Sequence, residues 1–135
     1  MNLAFYILVF DKGAEEILSK FKMGEQSAKT TKKSTMAVES HTTYINEVKE
    51  NQEVNVYLSY FDHDKKRLHY KLEMYEKSKN ILSATTEVLS LYIDLNIRKV
   101  AEFENEKLEI MDQFIEENKS KFKIDNLQFS NKLKK

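Results

Sequence analysis

Between Met36 and Asp94 the chain alternates like β-structure four times in succession, with only short polar breaks, and this restricts the fold more than any other stretch. Alternation of apolar and polar residues at a period of two places one set on a buried face and the other on an open one. In the second run Val54, Val56, Leu58 and Tyr60 share a face, opposed by Asn55, Tyr57, Ser59 and Phe61. The third sets Leu68, Tyr70, Leu72 and Met74 against Arg67, His69, Lys71 and Glu73. The fourth, Ile81 to Asp94, is apolar or small on both faces, as befits a central strand covered on both sides. The first, Met36 to Val48, alternates less cleanly: Met36, Val38, Ser40, Thr42 and Tyr44 form its inner set, with Glu39, His41 and Thr43 opposite. Breaks at Glu50-Asn51-Gln52, Asp62 to Lys66 and Ser78-Lys79-Asn80 have hairpin length, so the runs form an antiparallel meander.

Helical periodicity flanks this sheet. Leu3, Tyr6, Ile7, Phe10, Ala14, Ile17, Leu18 and Phe21 recur on one helical face, so a long helix is expected over 3–22, with Gly24 as its stop. The polar stretch from Glu25 to Lys33 reads as a solvated loop. Leu108, Met111, Phe114 and Ile115 mark a second amphipathic helix over 104–120, followed by a basic, frayed tail in which Phe122, Ile124, Leu127 and Phe129 could pack in part. The class is therefore α+β.

Composition excludes several chemistries. The 135 residues suffice for one core. The 22 basic and 22 acidic residues cancel, so no overall field favours nucleic acid or an anionic membrane, and an anionic ligand needs a local patch. Cysteine is absent, which removes disulfides and thiolate chemistry and accords with a cytoplasmic setting. No segment approaches the roughly 20 apolar residues of a membrane span, and the apolar stretch Leu3 to Phe10 lacks the basic leader of a signal peptide. Three histidines without a ligand-spaced partner make no metal site, and no Gly-x-Ser-x-Gly elbow is present for seryl catalysis.

Several motifs carry a family resemblance. Asn2, Tyr6, Phe10 and Asp11 in MNLAFYILVFD look like the continuation of a D-x-N-x-H-M-N-x-x-x-Y motif. ESHTTYINEV (39–48), DKKRLH (64–69) and LSATTEVLSLYID (82–94) follow in the order and spacing of the same group. Over residues 1–103 the chain thus resembles the hotdog-fold acyl-CoA thioesterases of the 4-hydroxybenzoyl-CoA thioesterase-like family, nearest the betainyl-CoA branch. The resemblance implies an α+β hotdog domain over 1–103, with a long central helix wrapped by four antiparallel strands. Residues 104–135 add the C-terminal helix and basic tail. It further implies hydrolysis of a small acyl-CoA by a homodimer or tetramer, without a separate cofactor, coenzyme A being part of the substrate.

Thioester hydrolysis needs a carboxylate to attack or to activate water, and donors for the oxyanion; a helix N-terminus supplies the latter. By resemblance Asn2 is the catalytic-site candidate, its ordinary role being that of an N-cap. Tyr6, Glu39, His41 and Tyr44 are the substrate-binding candidates, Glu39 and His41 being the one histidine–carboxylate pair on a single strand face. Lys66 with Arg67, and Arg98 with Lys99, are the cations for coenzyme A phosphates. A trimethylammonium acyl group would be met by the rings of Phe5, Tyr6, Phe10 and Tyr44. The family carries its acidic residue on a strand ahead of that motif's histidine. The resemblance therefore implies slow hydrolysis from the residues present, a strand at Ile81–Asp94 deprived of one neighbour, and, as the alternative function, an inert binding or assembly module on the same fold. The long edge strand Met36–Val48 is expected to pair with its copy in a second chain.

Overall fold

The computed structural model describes residues 2–135; Met1, the methionine of the resembling motif, lies outside them. Helix α1 (Leu3–Lys20) and a short α2 (Glu25–Thr31) precede four long strands, β1 (Lys33–Tyr44), β2 (Val54–His63), β3 (Arg67–Glu76) and β4 (Ile81–Asp94). A two-residue β5 (Lys99–Val100) pairs with the end of β4, and α3 (Asn105–Asn118) follows. The long strands run antiparallel in the order β1-β4-β3-β2. The expected central strand is central: β4 is flanked by β1 and β3, and every residue from Ser83 to Ser90 is buried. The expectation that it would lack a neighbour is overturned by this order, which leaves β1 and β2 as the edges.

One face of the sheet receives α1. Leu68, Tyr70, Leu72 and Met74 of β3 are buried beneath Tyr6 and Phe10, with Val54, Val56 and Leu58 of β2 packed alongside. Gly13 allows the closest approach, because a Cβ there would stand 2.9 Å from Val56 Cγ1. The helix stops earlier than predicted. Lys22, and not Gly24, takes the left-handed conformation (φ 61°), and the Met23 N–H returns to the Leu18 carbonyl at 2.9 Å. Gly24 is instead the N-cap of α2, which replaces the predicted loop over 25–33. The α1 N-cap is Asn2, whose Oδ1 accepts the Phe5 N–H at 3.0 Å.

Two bulges account for the departures from simple alternation. In β1 the register shifts between Ala37 and Glu39, so Ser40 and Thr42 keep the helix side, whereas upstream it is Ala37 and not Met36 that lines this side. In β2 the shift between Leu58 and Tyr60 exchanges two aromatics. Phe61, read as outward, is 1% exposed against Phe21, and Tyr60, read as inward, meets His69 and Phe122. Strand β1 also ends at Tyr44 and not Val48, after which Ile45 and Asn46 donate their N–H groups to the Ser83 carbonyl.

The other face, expected to be polar and solvated along β3, is covered. After α3 the chain crosses back over it as a strap. The Lys123 N–H bonds the Ser59 carbonyl at 2.8 Å, the Gln128 and Phe129 N–H groups reach Glu87, and the Lys134 N–H reaches Asp64 Oδ2 at 2.9 Å. The tail read as frayed is thereby tied at several points, and Phe129 is buried. Helix α3, at its predicted place, buries Met111 completely and sets Phe114 edge-on to Phe21 and Phe61. Glu104 at its N-terminus accepts from Tyr92 Oη (2.7 Å) and Lys33 Nζ (3.1 Å), which joins β1, β4 and α3.

Truncating a fully enclosed side chain removes transfer energy and leaves a cavity. Met111→Ala is expected to lower stability by about 3 kcal/mol, read as a reduced urea midpoint at unchanged slope. Ile124→Ala, at a site 72% exposed, should shift it little.

Candidate active site

Asn2, Tyr6 and Tyr44 come together at one end of the sheet. Tyr6, four residues into α1, is buried, its ring meets that of Tyr44 edge-on at 5.1 Å, and its hydroxyl accepts the Val48 N–H at 3.2 Å. Asn2 caps the same helix one turn earlier, so its carboxamide oxygen is engaged by Phe5 and its amide nitrogen is the group left to face a ligand. The macrodipole of an 18-residue helix points its positive end here.

Further along α1, from Ile7 to Ala14, a cleft of about 150 Å³ lies between the helix and the sheet. Phe10, Ala14, Leu72 and Val88 give it an apolar wall, and the Thr42 and Thr86 hydroxyls bond each other at 2.8 Å. Tyr70 and Asp11 supply the remaining polarity. Burial pushes the Tyr70 hydroxyl up to about 12; the Ser90 hydrogen bond opposes this and the Asp11 charge adds to it. No sequence argument singled out Tyr70 or gave Asp11 a role, because the cleft joins positions some sixty residues apart that only the packing of α1 on β3 brings together.

Glu39 and His41 stand on the opposite face of the sheet from that cleft, both exposed, and no hydrogen bond joins them among the described residues. His41 borders a larger polar cavity of about 640 Å³ under the strap, with Thr43, Lys71, Glu73 and Asn126. Next to it lies a pair that sequence reading missed. His69 Nε2 and Glu87 Oε2 are 2.6 Å apart, both side chains fully buried. Strap N–H groups complete the carboxylate: Gln128 to Oε1 at 2.8 Å and Phe129 to Oε2 at 2.9 Å. Burial alone would raise the Glu87 pKa. The Gln128 N–H, the His69 imidazole and the Phe129 N–H outweigh it, and the carboxyl titrates below its ordinary value. The carboxylate spends its accepting capacity on His69 and the strap, while His69 Nδ1 stays buried with no hydrogen-bond partner among the described residues.

The candidate cations collect at the far end of the sheet from Asn2. Lys66 lies in the β2–β3 turn and Arg67 opens β3, while Arg98 lies in the β4–β5 turn and Lys99 opens β5; the two turns are neighbours, since the Tyr92 N–H bonds the Lys66 carbonyl and the Phe103 N–H the Lys65 carbonyl. Arg67 is partly spent, its guanidinium bonding Asp64 at 3.0 Å. Burial works against the Asp64 charge, but N–H groups of Lys134, Lys66 and Arg67 and that guanidinium hold the carboxyl below the usual range. Lys66, Arg98 and Lys99 are exposed, and Arg98 takes the left-handed conformation of the turn. An 18-residue helix spans about 27 Å, so one chain separates its cations from Asn2 by roughly that length.

Replacing the Glu87 carboxylate by a carboxamide keeps one oxygen but sets an NH2 against a buried N–H donor, a loss of about 3 kcal/mol. Glu87→Gln should be less stable than the wild type by this amount at neutral pH. Because the folded pKa is depressed, the advantage exists above the ordinary glutamate value of 4.5 and is lost as pH falls through the folded value. Urea titrations of both proteins from pH 7 to pH 3 should show the gap closing in acid.

The profile of the thioesterase-like superfamily matches residues 1–115. The betainyl-CoA thioesterase of Pseudomonas aeruginosa is 30% identical over 105 residues, a match that covers 78% of this chain and 66% of that protein. Among solved structures, a Staphylococcus aureus protein determined in complex with CoA superposes with a TM-score of 0.77 at 21% identity, over 100% of this chain and 82% of the other. The 1,4-dihydroxy-2-naphthoyl-CoA thioesterase of Synechocystis does so at 0.71 and 14% identity, over 83% and 82%. The strand order, the helix laid across the sheet and these superpositions agree on the hotdog fold, and the chain belongs to the thioesterase-like superfamily.

Proposed function

We propose that the protein hydrolyses the thioester of a small acyl-CoA, with betainyl-CoA as the leading candidate, and that it does so as a cytoplasmic homodimer. The observation that carries this reading is the family match over residues 1–115, which spans α1 and the whole sheet and so includes the cleft and the α1 N-terminus. Water adds to the thioester carbonyl carbon, the C–S bond breaks, and the sulfur leaves as the thiol of coenzyme A once it has taken a proton. The α1 N-terminal N–H groups and the Asn2 amide are placed to draw charge onto the carbonyl oxygen. The cleft that opens further along α1, from Ile7 onward, offers an apolar wall.

The separation of cations from Asn2 supports the dimer. Strand β1 is an edge, exposed over most of its length, and the neighbouring outer side of α1 carries exposed Leu3, Phe5, Ile7 and Leu8. Two β1 edges paired antiparallel about a two-fold axis set the Lys33 end of one chain beside the Tyr44 end of the other. The partner copy then brings its cationic end toward this chain's Asn2, where the phosphates of a bound coenzyme A require it.

Thiol release from betainyl-CoA and short-chain acyl-CoAs, measured alongside light scattering, tests both halves. The expected result is turnover by a dimer, with Arg98→Ala raising KM several-fold at little change in kcat, since phosphate contacts act equally on substrate and transition state. A monomer at micromolar concentration, or the absence of thiol release from every acyl-CoA, would contradict the proposal.

A further inference from the structure

Of the five buried polar side chains of β4, four are bonded: Ser83 to the Ile81 carbonyl at 3.1 Å, Thr86 to Thr42, Glu87 to His69 and the strap, and Ser90 to Tyr70. Thr85 is the exception. It is 8% exposed, its hydroxyl has no hydrogen-bond partner among the described residues, and it lines the cavity of about 640 Å³ beneath the strap. Its oxygen is open to that space, because the one fully enclosed side-chain atom without a partner among the described residues is His69 Nδ1. A hydroxyl so placed costs free energy until something in the cavity accepts from it or donates to it.

A cation stands beside it. Thr85 faces Glu73 across the β3–β4 pair, and Lys71 lies two residues along on the same side and lines the same cavity. Lys71 is half-buried and makes no ion pair with any described residue. The neighbouring carboxylates are committed elsewhere: Glu73 to Lys123 at 2.9 and 3.1 Å, and Glu87 to His69, Gln128 and Phe129. Part of the wall is hydrocarbon. Leu82 and Phe122 are half-buried there, and Ile45 and Ile124 leave 48% and 72% of their surface open.

These features select a class of ligand. An ammonium would be repelled by Lys71. A phosphate dianion would set two charges against one uncommitted ammonium, with the Asp125 carboxylate of the strap lining the same space. An alcohol would satisfy Thr85 and leave Lys71 without a counter-charge. A carboxylate carries one charge, accepts from both donors, and can bring an aliphatic body for the apolar wall. We propose that the strap-side cavity is a second ligand site, which binds an aliphatic carboxylate with its charged end between Lys71 and Thr85 and its chain against Leu82 and Phe122. The site lies on the opposite face of the sheet from the helix-side cleft and stands independently of the acyl-CoA reading.

Hexanoate is the probe, titrated into the full-length protein and followed by calorimetry and by amide resonances. It should bind saturably and shift the resonances of Lys71, Thr85 and strap residues 122–128. Hexylammonium and 1-hexanol should each bind at least ten-fold more weakly, since a hydrogen bond to a charged group is worth about that factor. Lys71→Met, which keeps most of the stem, should weaken hexanoate about ten-fold, and Lys71→Arg should retain most of the affinity. Thr85→Val should weaken it about three-fold, with Thr85→Ser close to the wild type. Without ligand, the urea midpoint of Thr85→Val should stay level or rise, because the hydroxyl has no bond to lose. Hexanoate binding undiminished in Lys71→Met, 1-hexanol binding as tightly as hexanoate, shifts confined to the helix-side cleft, or no saturable binding would each overturn the proposal.

Discussion

Strand β4 is the element on which the rest of the molecule depends, because it is buried along its middle on both faces and both edges. Eight consecutive residues from Ser83 to Ser90 have no side open to water, yet they include Ser83, Thr85, Thr86, Glu87 and Ser90. A polar group in such a place costs more than it contributes unless it is bonded. Each face answers this differently. On the helix side Thr86 bonds Thr42 across the strand pair, and on the other side Glu87 draws in His69 and the backbone of the C-terminal strap.

That division has a functional consequence. The strap is fastened across its face by bonds that are already made, beside a polar cavity of about 640 Å³ that His41 borders, and both His41 and Glu39 stand on the other side of the sheet from α1 and Asn2. The helix face keeps an opening with an apolar wall, a free carboxylate and a helix N-terminus nearby. A small acyl group and its thioester carbonyl have complementary requirements there. The candidate cations stand at the other end of the sheet, so within one chain they are remote from that opening, and β1 is left as an edge with unpaired backbone.

Much of the fold was legible in the sequence because period-two and helical patterns report burial directly. The third run, Leu68 to Met74, was read to the residue, and β4 was recognised as doubly covered from its lack of a polar face. The bulges at Val38 and Ser59 were not, since one extra residue exchanges the faces downstream without altering composition; Phe61 and Tyr60 changed places for this reason. The short α2 was hidden by its polarity: EQSAKTT has good helix formers but no apolar stripe. The strap escaped because its bonds are made by backbone N–H groups, which every residue possesses. Of the candidate residues, Asn2, Tyr6 and Tyr44, named from motif order, lie together at one end of the sheet. Asp11 was seen only as part of a motif, because the cleft it lines is formed by the packing of α1 on the sheet.

The claim that buried Glu87 fastens the C-terminal strap to the sheet is tested most directly by native-state hydrogen exchange at the amides of Gln128 and Phe129. If Glu87 holds them as the geometry indicates, both should exchange orders of magnitude more slowly than an unstructured tail, with protection comparable to that of β4. Exchange at the rate of a free peptide, while β4 stays protected, would contradict the account: the strap would then be detached in solution, and the His69–Glu87 pair would lie open to water.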